Sequence, residues 1–337
     1  METIKAYVAS GPGEALKPFQ YQVGSLGPEE VDIKVHYCGI CHSDLSMIDN
    51  EWQMSNFPFV PGHEVVGEIV QVGDVITHLK PGDIVGLGWC AKSCMRCDAC
   101  LSGHHNLCSS AEQTMIGRYG GFADRVRCHW SWAIPLPPGL PAQASGPLFC
   151  GGITVFGPIL QFGVLPIHRV GVVGIGGLGH MALQFLNKWG CHVTAFSSTL
   201  SKSEEARRFG AHEVVASNDD KALESLAYSF DFILVTANVP LNWGLYINAL
   251  KPNGRLHFVG AVPLPLNISV FSLLVGQKSI SSSPLGSPVR VRQMLEFSSR
   301  HKIAPQVELF PMSKVNEALA HLKSGKARYR IVLKSDF

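Results

Sequence analysis

The sequence predicts an α/β protein: a β-rich first domain, then a doubly wound parallel-sheet domain, then a return to the first. Three features carry this expectation. Short alternating runs separated by Pro-Gly and Gly-Asp turns fill the first half. At Arg169 the pattern changes to short apolar runs alternating with helix-like stretches, the rhythm of a parallel sheet covered on both faces. From Pro288 onward that rhythm is lost. The 337 residues suffice for two ordinary cores, and the segments are expected at 1–150, 151–288 and 289–337.

In the first domain, residues 31–35 and 65–72 alternate as half-buried strands do, while Pro61-Gly62 and Pro81-Gly82-Asp83 break the chain. The Pro-rich segment 134–138 reads as a rigid crossing toward the next domain. Residues 170–175 form an apolar run that meets a Gly-rich turn. Leu178, Met181, Ala182, Phe185, Leu186 and Trp189 then recur at intervals that place them on one helical face. Further strands are expected at 192–196, 213–216, 230–235 and 255–259. A helix over 291–300 and a strand over 329–333 are expected to rejoin the first domain.

Composition removes several classes of function. With 46% hydrophobic and 16% charged residues the chain is not a disordered one. A net charge of +2 without any Lys/Arg run argues against nucleic acid as a partner. Apolar stretches are broken well before the roughly 18 residues that a membrane span needs, so no membrane partner is expected. Residues 1–7 lack the basic-then-apolar pattern of an export signal, which points to the cytoplasm. In that compartment ten cysteines suggest metal ligands or buried apolar fillers rather than disulfides.

Spacing separates ligands from fillers. Cys94, Cys97, Cys100 and Cys108 form a C-x2-C-x2-C-x7-C lobe, within about 90–110, whose short spacers let consecutive thiolates converge on one ion. Four thiolates without a water position describe a structural zinc site. An iron–sulfur cluster is the rival, but the three-residue last gap followed by Pro is missing. Cys41, His63 and Cys150, by contrast, are scattered, and spacing alone does not distinguish them from core residues.

Gly174-Ile175-Gly176-Gly177-Leu178-Gly179 follows a predicted strand and opens a predicted helix, the order a dinucleotide cradle requires. The first glycine permits the turn, the second admits the pyrophosphate, and the third allows close packing of helix on strand. Folds that prefer NAD place Asp or Glu at the end of the next strand. Here that stretch reads Phe196-Ser197-Ser198-Thr199-Leu200-Ser201-Lys202, with no carboxylate to repel a 2′-phosphate. Ser197, Ser198 and Lys202 therefore point to NADP(H).

Cys41-His42-Ser43-Asp44, Gly62-His63-Glu64 and the four-cysteine lobe, followed by the dinucleotide fingerprint, resemble the zinc-containing medium-chain alcohol dehydrogenases essentially from end to end. Residues 38–52 and the ending Gly325-Lys326-Ala327-Arg328-Tyr329-Arg330 are typical of the cinnamyl-alcohol-dehydrogenase-like branch that includes bacterial NADPH-dependent aldehyde reductases. The resemblance implies a GroES-like catalytic domain beside a Rossmann domain, two zinc ions per subunit, NADP(H), an aldehyde or alcohol substrate and a homodimer. It makes Cys41, His63 and Cys150 the catalytic zinc ligands, with Glu64 a carboxylate able to approach the metal. It makes Asp44 the group that orients His63, and Ser43 the hydroxyl that meets the substrate oxygen and passes its proton on.

Thr154, Thr236 and Gly260 would line the nicotinamide or its ribose. Ser46 stands where many relatives carry His, and Ser282-Ser283 where the family usually has Gly-Ser. The outer proton relay would then run through water or the nicotinamide ribose. Trp52 and Trp89 are candidate walls of an apolar pocket, and the loop after Cys108 is shorter than in the plant enzymes. Two other readings of the chain stand beside this one: a zinc-free quinone or enone reductase, which needs neither ligand set, and a non-catalytic NADPH-binding protein. A polyol dehydrogenase is disfavoured by the Ser-Ser-Lys stretch.

Overall fold

A computed structural model describes residues 2–337 and divides the chain into two compact units, Met1–Ile153 with Leu285–Phe337, and Thr154–Pro284. The tail thus belongs with the first unit. Its helices run over Pro288–His301 and Val315–Lys323, and its last strand over Arg330–Lys334.

The first unit is built around the strand Glu30–Ile40, whose Val31, Ile33 and Val35 are fully buried. Antiparallel partners flank it: Val65–Val72, with Cys38 opposite Val65, and Arg330–Lys334, with Ile40 opposite Ile331. Arg125–His129 pairs along its first half. The sheet is completed by Val307–Pro311 at one end and by Ile84–Leu87 and Ile134–Pro135 at the other. This register puts Cys41, Glu64 and Arg330, each adjoining or opening a strand, at one edge of three neighbouring strands.

The 134–138 segment is not the crossing that its prolines suggest. Ile134 and Pro135 pair with Gly86 and Val85 at the sheet edge, and the Leu136 N–H donates to the Ile84 carbonyl at 2.9 Å. An edge strand tolerates proline because one side of it needs no donor.

The second unit holds six parallel strands in the spatial order Glu213–Ala216, His192–Ser197, Arg169–Val173, Phe230–Val235, Leu250–Phe258, Ser279–Ser282. Numbered along the chain this is 3-2-1-4-5-6, the doubly wound order, with its reversal between Arg169–Val173 and Phe230–Val235. Ligands of such sheets bind beyond the carboxyl ends of the strands at that reversal. Val172, Val193, Ile233 and Leu256 are completely buried, as strands covered on both faces require. The helix Gly179–Trp189 buries Met181, Ala182, Phe185 and Leu186 and ends at Gly190, whose φ of 107° is the left-handed stop a glycine allows. The sixth strand, Ser279–Ser282, has no apolar run to announce it. Among the described residues no helix is long and apolar enough to cross a membrane.

Candidate active site and metal centres

The end of one strand and two turns bring together Cys41, His63, Glu64 and Cys150, whose ligand atoms all lie within 4.8 Å of one another. Cys41 caps the helix His42–Ile48, His63 and Glu64 lead into Val65–Val72, and Cys150 precedes the helix Gly151–Gln161. The thiols of Cys41 and Cys150 stand 4.0 Å apart, and His63 Nε2 lies 3.3 Å from Cys150 Sγ.

Asp44, fully buried, ties the two ligand turns together. One carboxylate oxygen accepts from the Cys41 N–H at 2.8 Å. The other accepts from the Gly62 N–H at 3.0 Å and faces His63 Nδ1 at 3.1 Å. A carboxylate on Nδ1 fixes the imidazole with Nε2 turned toward the thiols, the arrangement expected around a ligating histidine. Ser43 Oγ lies 3.6 Å from Cys41 Sγ. Ser46 is buried in the same helix.

The donor set fits a divalent cation. The hydrogen bond from Cys150 holds Cys41 well below the usual thiol range, against desolvation and with help from Arg330. The same contact, with burial, pushes Cys150 well up. Burial opposes a charged His63, yet Asp44 outweighs it and lifts that pKa well above its ordinary value. Burial raises Glu64, while Arg330 partly offsets the rise. One Glu64 oxygen pairs with the buried Arg330, and the other, Oε2, is buried without a partner. A β-carbon at Gly39 would collide with that oxygen, so the glycine makes room for the carboxylate. An orphaned carboxylate oxygen beside two thiols and an imidazole is a donor set suited to a divalent cation.

Arg330 carries no local signal in the sequence, since 266 residues separate it from Glu64. Trp89 packs edge-on against His63 with ring centroids 5.0 Å apart, and Trp52 lies 6.2 Å from Trp89.

The four-cysteine lobe closes on itself. Cys94, Cys97, Cys100 and Cys108 also gather within 4.8 Å, with Cys94 and Cys100 sulfurs 3.9 Å apart. The Cys97 N–H donates to Cys94 Sγ and the Cys94 N–H to Cys108 Sγ. Backbone N–H groups of Arg96 and Cys97 lower Cys94 to about 6, favouring the thiolate a metal needs. Leu101 and Leu107 are exposed, so the lobe has little core of its own. All ten cysteines are free thiols.

In the second unit the Gly-rich turn lies past the end of Arg169–Val173. Gly174 has a φ of +92°, and a β-carbon at Gly179 would collide with the Gly174 carbonyl. Exposed Gly176 is different: no protein atom lies within 4 Å of where its β-carbon would stand. Open space before a helix N-terminus is where backbone N–H groups can receive a phosphate. Ile175 is buried, while Gly177 and Leu178 are half-buried. His180, not singled out by the motif, donates through Nδ1 to the Gly176 carbonyl at 3.1 Å.

Thr236 donates to the Gly174 carbonyl at 2.7 Å, and Thr154 sits half-buried on its helix. Gly260 approaches the Ala237 carbonyl too closely for any side chain. It lines a cavity of about 440 Å³ with Phe258, Val262, Leu264, Ser282 and Ser283. Ser197 is buried and donates its proton to the Thr199 carbonyl at 2.8 Å, closing a turn. Ser198 is exposed and Lys202 half-buried at the start of Ser203–Arg208.

Two cysteine-containing ligand sets, with a Gly-rich turn beside the reversal of a 3-2-1-4-5-6 sheet, define a metal-dependent, dinucleotide-linked dehydrogenase. Comparison with known proteins supplies the family. Residues 27–138 match the alcohol dehydrogenase GroES-like domain, and residues 177–300 match the zinc-binding dehydrogenase model. The chain is 53% identical over 330 residues to the aldehyde reductase AdhA of Synechocystis sp., covering 98% of each. A cinnamyl alcohol dehydrogenase from Sorghum bicolor superposes with a TM-score of 0.94 at 34% identity, covering 99% of this chain and 98% of that one. A cinnamyl alcohol dehydrogenase of Helicobacter pylori, complexed with NADP(H), superposes with a TM-score of 0.90 at 29% identity over 98% of both chains. The chain belongs to the zinc-containing medium-chain alcohol dehydrogenases, in the cinnamyl-alcohol-dehydrogenase-like branch.

Proposed function

We propose that the chain reduces aldehydes to primary alcohols, reversibly, with NADPH as hydride donor and with catalytic zinc held by Cys41, His63 and Cys150. The observation that carries this reading is the convergence of two thiols, an imidazole and a half-partnered carboxylate in one buried set. Bound there, zinc supplies a Lewis acid for the carbonyl oxygen, and NADPH supplies the hydride.

The chain's own residues do the rest. Asp44 holds His63 in one tautomer and braces the Cys41 turn. Arg330 keeps Glu64 charged-paired and drawn to one side, leaving its second oxygen free to approach the metal. Ser43, whose Oγ lies 3.6 Å from Cys41 Sγ, would hand a proton to the substrate oxygen. Ser46 offers no imidazole where many relatives carry one, so the proton would arrive through water or the nicotinamide ribose.

In this reading 1–150 and 289–337 form the catalytic domain, with a second, structural zinc on Cys94, Cys97, Cys100 and Cys108, and 151–288 binds NADP(H). Gly174 to Gly179 would cradle the pyrophosphate. Ser198 and Lys202 would meet the 2′-phosphate, with Ser197 shaping their turn. Thr154, Thr236 and Gly260 would face the nicotinamide half. The names of the Synechocystis relative and the NADP(H)-complexed relative support the substrate class and cofactor.

We further assign a cytoplasmic homodimer. Val270, Phe271 and Leu274 are largely exposed and Ser279–Ser282 is the outermost strand of its sheet, surface that a second copy of the chain would cover.

An aldehyde panel assayed with NADPH and NADH, alongside a zinc measurement, tests the reading. The expected result is reduction with a strong NADPH preference. Lys202→Ala should raise the KM for NADPH by about tenfold and leave that for NADH unchanged. No aldehyde reduced with either cofactor would contradict the proposal.

A further inference from the structure

The strand Leu250–Phe258 carries a histidine where its neighbours are apolar. His257 is completely buried, with its ring 4.9 Å from Phe162 and 6.0 Å from Phe232. Packing alone gives no reason for an imidazole there, and a branched apolar side chain suits such a site better. Both ring nitrogens are nevertheless satisfied. Nδ1 lies 2.9 Å from Ser281 Oγ and Nε2 lies 2.9 Å from Ser283 Oγ. Burial and the nearby Arg255 guanidinium lower the His257 pKa to about 4, so the ring is neutral at ordinary pH. A neutral ring has one donor and one acceptor, and two hydroxyls can meet both.

The two serines belong to the end of the edge strand. His257 is paired with Ser281 in parallel register, and Phe258 with Ser282. Side chains alternate across a strand, so holding Ser281 and Ser283 on the His257 face turns Ser282 toward the Phe258 face. Phe258, Ser282 and Ser283 are walls of the cavity of about 440 Å³ that Gly260 also lines. The Ser–His–Ser bridge thus spans from the fifth strand to the chain leaving the sixth, just past the last ladder pair.

We infer that His257 is a positioning residue for NADP(H): by bridging Ser281 and Ser283 it fixes the rim of the cavity that receives the nicotinamide half of the cofactor. The inference rests on the reading of the second unit as the NADP(H)-binding domain. It assigns His257 no contact with the cofactor. The preformed rim spares the cofactor the cost of ordering that segment on binding, so its loss weakens the nicotinamide half alone.

The test compares two ligands on the full chain by calorimetric titration, without any aldehyde present. NADPH reads both halves of the site, and adenosine 2′,5′-bisphosphate, which lacks nicotinamide, reads only the adenosine half. Replacing His257 with Leu should weaken NADPH by about tenfold, the scale of one or two lost buried hydrogen bonds, and leave the bisphosphate within about twofold. Ser283→Ala should shift NADPH in the same direction by less. His257→Gln, whose amide keeps a donor and an acceptor, should recover part of the affinity that Leu loses. Unchanged NADPH affinity in His257→Leu would overturn the inference. So would an equal loss for both ligands, because that is what general loosening of the sheet produces. If the unmodified chain fails to bind the bisphosphate at all, the NADP(H) reading itself fails and takes this inference with it.

Discussion

The two cysteine-containing ligand sets reach similar compactness by opposite routes. In the lobe, all four sulfurs come from a stretch in which Cys94 and Cys108 are 14 residues apart, two of them half-exposed and none backed by a substantial core. In the other set, Cys41 and Cys150 are 109 residues apart, and the surrounding sheet, Asp44 and Arg330 hold the geometry. A metal would shape the lobe, whereas the fold shapes the second set before any metal arrives. The lobe's ion therefore contributes folding energy. An ion in the buried set would contribute less to folding, because the sheet, Asp44 and Arg330 already hold its donors.

Four substitutions sharpen or break this contrast. The largest effect is expected from Cys41→Ala, which should lower kcat/KM for aldehyde reduction by roughly a thousandfold or more, the scale of several kcal/mol of lost charge stabilisation. Its thermal midpoint should stay near that of the unmodified chain, and a collapse of the fold would erase the contrast.

Arg330→Met comes next, because it leaves Glu64 charged, buried and unpaired. A cost of about 3–5 kcal/mol in denaturant unfolding is expected, partly recovered when Glu64→Gln is added. No loss would mean that the ion pair contributes nothing to the preformed site. Asp44→Asn should weaken metal retention or activity by about 10–100-fold, the usual penalty for removing the group behind a ligating histidine. Metal titrations and initial rates both read it.

Cys97→Ser should change activity least, by about twofold in the folded fraction, while lowering thermal stability and opening the lobe to limited proteolysis. A loss of activity as deep as that of Cys41→Ala would assign the wrong role to the lobe.

What could be read from the sequence follows the same divide. The four-cysteine lobe and the Gly174–Gly179 turn are local, so spacing and flanking elements reveal them. Cys41, His63 and Cys150 became a set only through resemblance, since nothing in their spacing says that sheet register will gather them. Arg330 stands in a typical ending, yet its role is not legible there because its partner lies 266 residues away.

Local chemistry also misled. Pro135 suggested a linker and sits instead on a sheet edge, where a missing donor is harmless. Ser279–Ser282 is not legible in the sequence, because Ser-Ile-Ser-Ser lacks the apolar run that marks the other five strands. Ser197 offered a hydroxyl to a phosphate on paper, whereas its proton goes to Thr199. Sequence reports which donors exist; only the fold reports which are already engaged.

The most direct test is zinc content measured together with reductase rate in His63→Ala. Two zinc ions per unmodified chain, one in the variant, and no measurable aldehyde reduction by the variant are expected. A variant that holds a single zinc yet reduces aldehydes at the unmodified rate would contradict that expectation.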